Sequence, residues 1–480
     1  MIVALLLLIP FITALALMFL RPTQQAKNVA LISTLASLGV VLFAWSAYTG
    51  GTVIHYNMDW VPSWGLRFVM GYDGVGLLML ILTAMVFPFI IAAGYGEKLQ
   101  HPSLVNALLL FTQTFLFGVF LAQNTLLFYI FYELSLIPVF FFLLYWGGEH
   151  RRAITVKFFI YTLLGGLSLL FGIIYCLGQG EGFNGDFATI GSLNIPTSVQ
   201  IWLFWVLFLA FAIKLPIFPF HSWQPDTYAM APLQGTMVLG AVMLKMGLYG
   251  IIKIVLPIVP QGVVHWQETV ILLALIGAIY GGIIAFRQSD LKRLIAFSSL
   301  SHVGLLCAGL FAWNSYGVSG SLYQAFAHAL LVVCMLYISG AMKERVGSSE
   351  MGAMGGLKVR TPRLAALFLL VLANAVALPL TQSFVGEWLM FAGLWQVNGG
   401  LALAAVSTIV LGAIYMLFAY QRVMLGPDKW ALEMTDATTR DHFVLVPLIA
   451  ITLFLGVYPG PILELVDVPV QQLLSSLSLN

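Results

Sequence analysis

IWLFWVLFLAFAIKLPIFPFHSW, residues 201–223, is long and apolar enough to cross a membrane as a helix, yet it carries Lys214 deep inside the apolar run. An amine in the hydrocarbon core is so costly that such residues usually face a protein interior or a water-filled path and serve a function. Pro216 and Pro219 follow shortly afterwards and break backbone hydrogen bonding. The stretch therefore predicts a membrane span that is interrupted beside a functional lysine.

The composition of the whole chain places it in the lipid bilayer. Of its 480 residues, 61% are hydrophobic and 8% are charged, and the mean hydropathy is +0.98. These values exclude a soluble globular protein. The net charge of +2 gives no reason to expect nucleic-acid binding. The expected partners are therefore the bilayer and other membrane proteins.

Fourteen apolar runs are long enough to span a bilayer. They begin near Ile2, Asn28, Val75, Ser103, Thr125, Ile154, Ile201, Gly235, Glu268, Leu294, Ser319, Leu364, Leu401 and His442. We therefore predict an all-α polytopic membrane protein with about 14 transmembrane helices.

Basic residues are distributed unevenly over the connections between these runs. If the chain starts outside, the connections after spans 1, 3, 5, 9, 11 and 13 hold Arg21, Lys27, Lys98, Arg151, Arg152, Lys157, Arg287, Lys292, Arg293, Lys343, Arg345, Lys358, Arg360, Arg363, Arg422, Lys429 and Arg440. The connections on the opposite side hold Arg67. Because basic loops stay in the cytoplasm, this pattern predicts that both termini face away from it.

A second proline-containing segment, ALPLTQSFVGEW at residues 377–388, lies five spans after the first. Segments five spans apart run in opposite directions, and paired broken helices in inverted repeats are typical of transporters. We therefore predict a single membrane domain, 1–480, with broken helices 7 and 12. Its expected parts are two inverted five-helix repeats, 103–256 and 268–424, and flanking helices at 1–94 and 442–480.

Six ionisable side chains interrupt the apolar runs near mid-membrane depth, namely Glu133, Lys214, Lys245, His302, His328 and Glu387. Intramembrane ionisable residues are functional by default. Several of them at one depth predict a row of proton sites. Glu133 is the natural partner of Lys214, and such a pair acts as a switch, because the lysine holds its proton while the acid is close and releases it when the acid moves away.

Each of these residues also has a structural interpretation. Glu133 can be a neutral acid held for packing, the two histidines can be satisfied buried polar groups, and Glu387 can lie at a frayed, hydrated helix end. Lys157 and Lys253 lie closer to loops, where their side chains can reach the membrane surface, so we expect them to have structural roles.

Motifs for redox chemistry are missing from the sequence. Cys176, Cys307 and Cys334 lie inside apolar runs without CxxC spacing, which predicts free buried thiols rather than disulfides or a metal site. We also find no dinucleotide fingerprint, Walker sequence or haem pair. If a reaction drives this protein, we expect another subunit to carry it out.

Five motifs together resemble the antiporter-like membrane subunits of respiratory complex I, the NADH-quinone oxidoreductase. They are FYELSLIPVF at 131–140, AIKLPIFPFHSWQPDTYAMAP at 212–232, GAVMLKMGLYG at 240–250, DLKRLIAFSSLSHVG at 290–304 and FVGEW at 384–388. The resemblance covers most of the chain. It is closest to the subunit M branch, since the sister branches usually place a lysine where this chain has Glu387.

The resemblance implies a proton-translocating subunit of a redox-driven translocase. Glu133 and Lys214 would form the buried pair, and Lys245, His302 and His328 would lead from it towards Glu387. No cofactor is expected in this chain, whereas FMN, iron-sulfur clusters and quinone would belong to partner subunits. The implied partners are neighbouring antiporter-like and other membrane subunits. The implied location is the bacterial inner membrane, with both termini on the periplasmic side.

Three alternatives remain at the level of sequence. The nearest is a subunit of an Mrp-type Na⁺/H⁺ antiporter or a membrane-bound hydrogenase, which has related motifs. A structural membrane subunit would use the same polar residues only to lock helix packing. A small-solute permease is disfavoured because the sequence offers no solute-sized polar pocket beyond the charged row.

Overall fold

The computed structural model describes residues 1–19, 25–180, 183–428 and 434–478. The helices in these ranges are α1 (Ile2–Phe19), α2 (Gln25–Ser46), α3 (Gly74–Ala93), α4 (Pro102–Leu121), α5 (Thr125–Leu134), α6 (Leu136–Trp146), α7 (Arg151–Gln179), α8 (Phe187–Gly191), α9 (Thr197–Lys214), α10 (Gln224–Met230), α11 (Leu233–Val238), α12 (Leu244–Gly250), α13 (Leu256–Ile258), α14 (Pro260–Phe286), α15 (Leu291–Phe311), α16 (Ser315–Val346), α17 (Leu357–Arg360), α18 (Pro362–Ala375), α19 (Gln382–Val397), α20 (Gly399–Met424), α21 (Thr439–Val457) and α22 (Gly460–Ser478). A hairpin of β1 (Val53–Val61) and β2 (Leu66–Tyr72) lies between α2 and α3.

The predicted membrane spans are present. In the described residues, 13 helical stretches are long and apolar enough to cross a membrane, and each corresponds to one predicted span. The remaining predicted span, span 12, is divided into α18 and α19, of 14 and 16 residues, so neither half reaches full length. Helices satisfy every backbone group within the segment, which is what a lipid environment demands. The predicted all-α membrane fold is thereby confirmed.

Two elements at the ends of the spans depart from the sequence expectation. The connection before α3 forms the β1–β2 hairpin, because valine, tyrosine and tryptophan favour strands and the connection lies outside the apolar spans. The segment 442–480 contains a helix beyond the last predicted span, since α21 ends at Val457 and α22 follows as a separate 19-residue helix. α22 falls outside the candidate spans and packs against α3 and α16.

Burial divides the spans into a central and a peripheral group. α15 is fully buried, and α3, α16 and the span formed by α11 to α13 are nearly so. In α1, α2, α20 and α21, by contrast, fewer than half of the residues are buried. The central spans carry Lys245, His302 and His328, so these side chains lie inside the helix bundle and away from its outer apolar surface.

The connections between spans lie at two opposite ends of the bundle. We call the end with the connections after even-numbered spans the even end, and the end with those after odd-numbered spans the odd end. At the even end, Arg67 pairs with Asp186 at 3.0 Å. At the odd end, Arg293 pairs with Asp226 at 3.4 Å and Arg345 with Asp441 at 2.6 Å. These basic residues therefore lie at the ends of the bundle that the predicted order of the spans gives them. Arg21 and Lys429, assigned to the odd end from sequence, lie outside the described residues.

Candidate functional site

The predicted break in span 7 is present beside Lys214. α9 ends at this residue, and α10 begins only at Gln224 after an irregular stretch that contains both prolines. One backbone carbonyl freed by the break is satisfied within the protein, since Trp223 Nε1 donates to the Ile213 carbonyl at 2.9 Å. The break therefore places Lys214 at a helix end in the protein interior, where irregular backbone is tolerated.

The ammonium of Lys214 is buried without a hydrogen-bond partner. The residue is 1% exposed, and Nζ contacts no acceptor. Nζ lies 4.9 Å from the centre of the Tyr132 ring, and the Tyr132 hydroxyl donates to the Ala210 carbonyl at 3.1 Å. An aromatic face attracts a desolvated cation but does not replace a carboxylate. Lys214 is thus held in a site that leaves its charge largely uncompensated.

Glu133 lies near Lys214 without being hydrogen-bonded to it. It occupies the last turn of α5, just before the helix bends at Ser135 into α6. The two side chains interact electrostatically, yet both Lys214 Nζ and Glu133 Oε1 lack hydrogen-bond partners. The pair implied by the resemblance is therefore open in this structure.

Gly166 in α7 provides the space that the Glu133 carboxylate occupies. A Cβ atom at this position would lie 1.7 Å from Glu133 Oε1. We expect Gly166→Ala to displace the carboxylate and, if the chain has the function that the resemblance implies, to slow proton translocation several-fold, measured on the assembled complex. Gly178→Ala is the matched control, because Gly178 lies in the same helix and an added Cβ there meets nothing within 4 Å. Equal rates for the two variants would show that the carboxylate position is unimportant.

Lys245 is held by a helix with unusual local geometry. α12 lies between two π-helical segments, Leu239–Met243 and Ile251–Val255. Nζ donates to the Gly240 carbonyl at 2.9 Å and contacts His328 Nδ1 at 2.8 Å. Short π segments inside α-helices occur frequently at functional sites. Lys245 therefore contacts a titratable side chain of α16 directly.

The two histidines continue this contact towards Glu387. The rings of His328 and His302 lie with centroids 5.9 Å apart, and His302 Nδ1 lies 3.2 Å from Glu387 Oε1. Gln324 Nε2 also approaches Glu387 Oε1, at 3.5 Å. The Nε2 atoms of both histidines are buried without partners, so each ring has a free position for a proton or a water molecule.

Small cavities adjoin both histidines. One of about 10 Å³ is bordered by His302, His328 and Ser299, and another of about 10 Å³ by His302, Glu387 and Thr408. This is about the volume needed to admit one water molecule. Buried polar atoms without partners provide the hydrogen bonds that such a water requires. The cavities can therefore join the ionisable groups by single water molecules.

The break in span 12 fixes the position of Glu387. α18 ends at Ala375 and α19 begins at Gln382, and between them Ala377 and Leu380 have positive φ angles of 51° and 75°. Such conformations are rare for residues with a side chain and mark a constrained segment. Glu387 lies in the second turn of α19 and is 4% exposed. It is therefore buried, which argues against the alternative of a frayed, hydrated helix end.

The structure brings the six predicted residues into two groups. Lys245, His328, His302 and Glu387 form one contiguous group across three central spans and α19, while Glu133 and Lys214 form the other. Tyr132 is a further member that the sequence analysis missed, although its place beside Glu133 in the motif was a usable signal.

Lys157 and Lys253 both form ion pairs near the ends of their spans. The Lys157 amine pairs with Asp226 at 3.3 Å at the odd end, and the Lys253 amine pairs with Asp73 at 2.5 Å. Asp73 caps the start of α3, 180 residues earlier in the chain than Lys253, and no local pattern reveals that proximity. The structural role of the two lysines stays a prediction.

A large cleft opens at the odd end of the bundle. It has a volume of about 870 Å³, and its lining includes Glu97, Asp226, Lys292 and Arg440. Burial raises the pKa of the Glu97 carboxyl, against the opposing effect of the Leu233 amide that donates to it at 3.1 Å. The cleft thus brings water and ionisable groups to the junction between spans 7 and 8.

Comparison with known proteins identifies the family to which this architecture corresponds. Residues 122–412 match the family model described as NADH:quinone oxidoreductase/Mrp antiporter, transmembrane. The chain belongs to this family. The matched region includes all six predicted ionisable residues, so both groups of the site lie in the part of the chain that defines the family.

Individual members of the family are similar over nearly their whole length. NADH-quinone oxidoreductase subunit M of Rickettsia bellii is 35% identical over 420 residues, 87% of this chain and 85% of that protein. F(420)H(2) dehydrogenase subunit M of Methanosarcina mazei is 32% identical over 96% of each chain. A chain of respiratory complex I from Thermus thermophilus, solved with bound NADH, has a TM-score of 0.91 at 26% identity and covers 98% of this chain.

Proposed function

We propose that this chain is a proton-translocating membrane subunit of an NADH:quinone oxidoreductase, equivalent to subunit M. The observation that carries the proposal is the contiguous contact of Lys245, His328, His302 and Glu387 inside the bundle. Buried ionisable groups in contact are costly in an apolar interior and are typical of proton relays. The similarity to subunit M of Rickettsia bellii supports the same conclusion.

The first proton-transfer step is assigned to Glu133 and Lys214. An unpaired ammonium in a low-dielectric interior is unstable unless a carboxylate approaches it. When Glu133 is close, Lys214 holds its proton. When the acid lies apart, Lys214 tends to release its proton. The unpartnered Lys214 Nζ and Glu133 Oε1 atoms of this structure correspond to this second state. Movement of α5 relative to α9 would therefore switch the proton occupancy of Lys214.

The released proton is then passed along the second group. Lys245 accepts it, and His328 and His302 carry it towards Glu387 by hydrogen bonds and single water molecules. The unpartnered Nε2 atoms and the adjoining cavities support this assignment. Each group gives up its proton as the next accepts one, so that the proton moves from Lys214 towards Glu387.

The energy for this movement is assigned to other subunits. The redox chemistry, with FMN, iron-sulfur clusters and quinone, would take place in partner subunits, and neighbouring membrane subunits would transmit it to the Glu133–Lys214 pair. The charge pattern of the loops supports a bacterial inner-membrane orientation with both termini on the periplasmic side. In that orientation the odd end and its cleft face the cytoplasm.

The second candidate is a subunit of an Mrp-type Na⁺/H⁺ antiporter or a membrane-bound hydrogenase. This candidate is supported by the matching family model, whose description names the Mrp antiporter beside the NADH:quinone oxidoreductase. The two candidates differ in their ions and their energy source. An antiporter exchanges Na⁺ for H⁺ without electron transfer, whereas the proposed subunit moves protons only while NADH is oxidised.

The deciding experiment uses the purified multi-subunit complex containing this chain in sealed proteoliposomes. We expect NADH and a quinone to produce proton translocation at the same rate in K⁺ and in Na⁺ medium, recorded with a pH-sensitive dye. A protonophore serves as the control for vesicle integrity. Ion movement that requires Na⁺, or Na⁺/H⁺ exchange without NADH, would establish the antiporter instead.

A further inference from the structure

Two hydroxyl groups near His302 have no part in the proposed relay. Ser298 Oγ of α15 and the Tyr415 hydroxyl of α20 are 3.1 Å apart, and either of them can donate the hydrogen bond. Both residues are buried, with exposures of 3% and 1%. A hydroxyl group donates one hydrogen bond and accepts others, so two hydroxyls in contact can pass a proton from one side of the pair to the other.

This pair lies between the two small cavities. We call the cavity bordered by both histidines the first cavity and the one bordered by Glu387 the second cavity. Ser298 lines the first cavity. Gly412 lines the second cavity, and a Cβ atom at Gly412 would lie 3.7 Å from the Tyr415 hydroxyl. The Glu387 charge also acts on Tyr415 electrostatically. The two hydroxyls therefore connect the first cavity with the second.

His302 is limited as a repeated carrier of protons. An imidazole that accepts a proton on one nitrogen and releases one from the other is left as the opposite tautomer. Before the next transfer, the ring must turn over or a proton must travel around it. The ring is buried, and its Nδ1 atom lies 3.2 Å from Glu387 Oε1. Because close packing obstructs a turn of this ring, a route around it has a clear use.

We propose that Ser298 and Tyr415 form a hydroxyl bridge that carries protons from the first cavity to Glu387. The bridge runs in parallel with the His302 ring. This inference rests on the proposed function and keeps the order of its relay, since the proton arrives from His328 and ends on Glu387.

The transfer leaves both hydroxyls with one proton each. An N–H bond of protonated His328 breaks as water in the first cavity takes the proton and passes it to Ser298 Oγ. The original Ser298 O–H proton moves to Tyr415, whose own O–H proton moves to water in the second cavity. An O–H bond then forms on the Glu387 carboxylate. Rotation of the two hydroxyls restores their starting orientation.

The first test adds Tyr415→Phe to His302→Gln in the complete complex. Glutamine keeps an N–H group that can donate to Glu387 but cannot carry a proton as imidazole does. We expect His302→Gln alone to retain measurable NADH-driven proton translocation, and the added Tyr415→Phe to lower that rate by about tenfold or more, as when a proton-transfer group is removed. Ser298→Ala should have the same effect. Combining it with Tyr415→Phe should cost nothing further, because both interrupt one route.

Tyr323→Phe is the matched control for the tyrosine substitution. Tyr323 is also buried in a central span, and its hydroxyl donates to the Leu455 carbonyl at 2.6 Å. It is not among the residues that line either cavity. We expect this variant to lower the thermal midpoint and to leave the translocation rate unchanged in both backgrounds. If the hydrogen bond of Tyr415 only fastens α20 to α15, Tyr415→Phe will behave in the same way.

Gly412→Ala tests the second cavity without removing a hydroxyl. The added methyl group meets the Tyr415 hydroxyl at 3.7 Å, an ordinary contact, and alanine favours a helix more than glycine does. The methyl group nevertheless occupies space beside a cavity that admits about one water molecule. We expect Gly412→Ala to slow translocation in the His302→Gln background, as Tyr415→Phe does.

All rates are recorded in proteoliposomes after assembly has been checked on a native gel. An inactive His302→Gln complex would overturn the bridge, because no parallel route would then exist. Equal rates for His302→Gln with and without Tyr415→Phe, or with and without Gly412→Ala, would overturn it as well. Any of these results together with an inactive Lys245→Arg complex rejects the bridge and leaves the relay in place, whereas normal pumping by Lys245→Arg rejects the relay itself.

Discussion

Replacing Lys214 by methionine is expected to lower NADH-driven proton translocation by about tenfold or more, as the loss of a proton-transfer group does in general. Methionine resembles lysine in length and is apolar, so it fills the same space without carrying a proton. Electron transfer is expected to slow in parallel, because each proton step is coupled to redox turnover. Both rates are measured on the purified complex in proteoliposomes, after its assembly has been checked on a native gel.

The stability of this variant distinguishes a functional lysine from a structural one. The ammonium of Lys214 is buried and has no hydrogen-bond partner, so its removal relieves a desolvation cost. We expect the thermal midpoint of the complex to stay the same or to rise. A lysine that serves packing would show the opposite result, with loss of assembly and a lower midpoint.

Lys157→Met is the matched control for this substitution. Lys157 is a lysine of the preceding span, but its amine lies at the odd end, where it donates to the Ser222 carbonyl at 2.8 Å and pairs with Asp226. It is partly exposed and takes no part in the proposed relay. We expect this variant to pump at nearly the wild-type rate. Full pumping by Lys214→Met would remove the proposed switch.

Much of the fold can be predicted from sequence because the bilayer imposes few solutions. A span must be apolar over about 20 residues and helical throughout, and prolines such as Pro216 mark its breaks. The hairpin and α22 are not constrained in this way. They lie outside the spans, where water satisfies the backbone and short apolar segments fit several structures, so the hydrophobic pattern alone does not identify them.

The candidate site is predictable in its members and not in its contacts. Lys245 and His328 are conspicuous in sequence because each interrupts an apolar run, yet their contact joins residues 83 positions apart. The same limit applies to Lys253, whose position near a loop is visible in the sequence while its ion pair with Asp73 is not. Depth in the membrane follows from position along one helix, whereas pairing depends on how different helices pack.

Lys245→Arg is expected to stop proton translocation although it keeps the positive charge. Arginine holds its proton under all physiological conditions, so it can form a hydrogen bond to His328 but cannot release a proton to it. We expect a fall of about tenfold or more in the rate of NADH-driven translocation, measured on the assembled complex. A structural role for the cation predicts that arginine preserves both packing and activity.

Lys292→Arg controls for the larger side chain, since the Lys292 amine also donates to a backbone carbonyl, that of Ala231. Its proposed role is structural, so arginine should support pumping at that position. The two substitutions change the side chain in the same way and differ in whether the original lysine contacts a titratable partner. If both variants pump like the wild type, then Lys245 acts as a fixed charge and protons must reach Glu387 by another route. If only Lys245→Arg is inactive, release of its proton is the step that the relay requires.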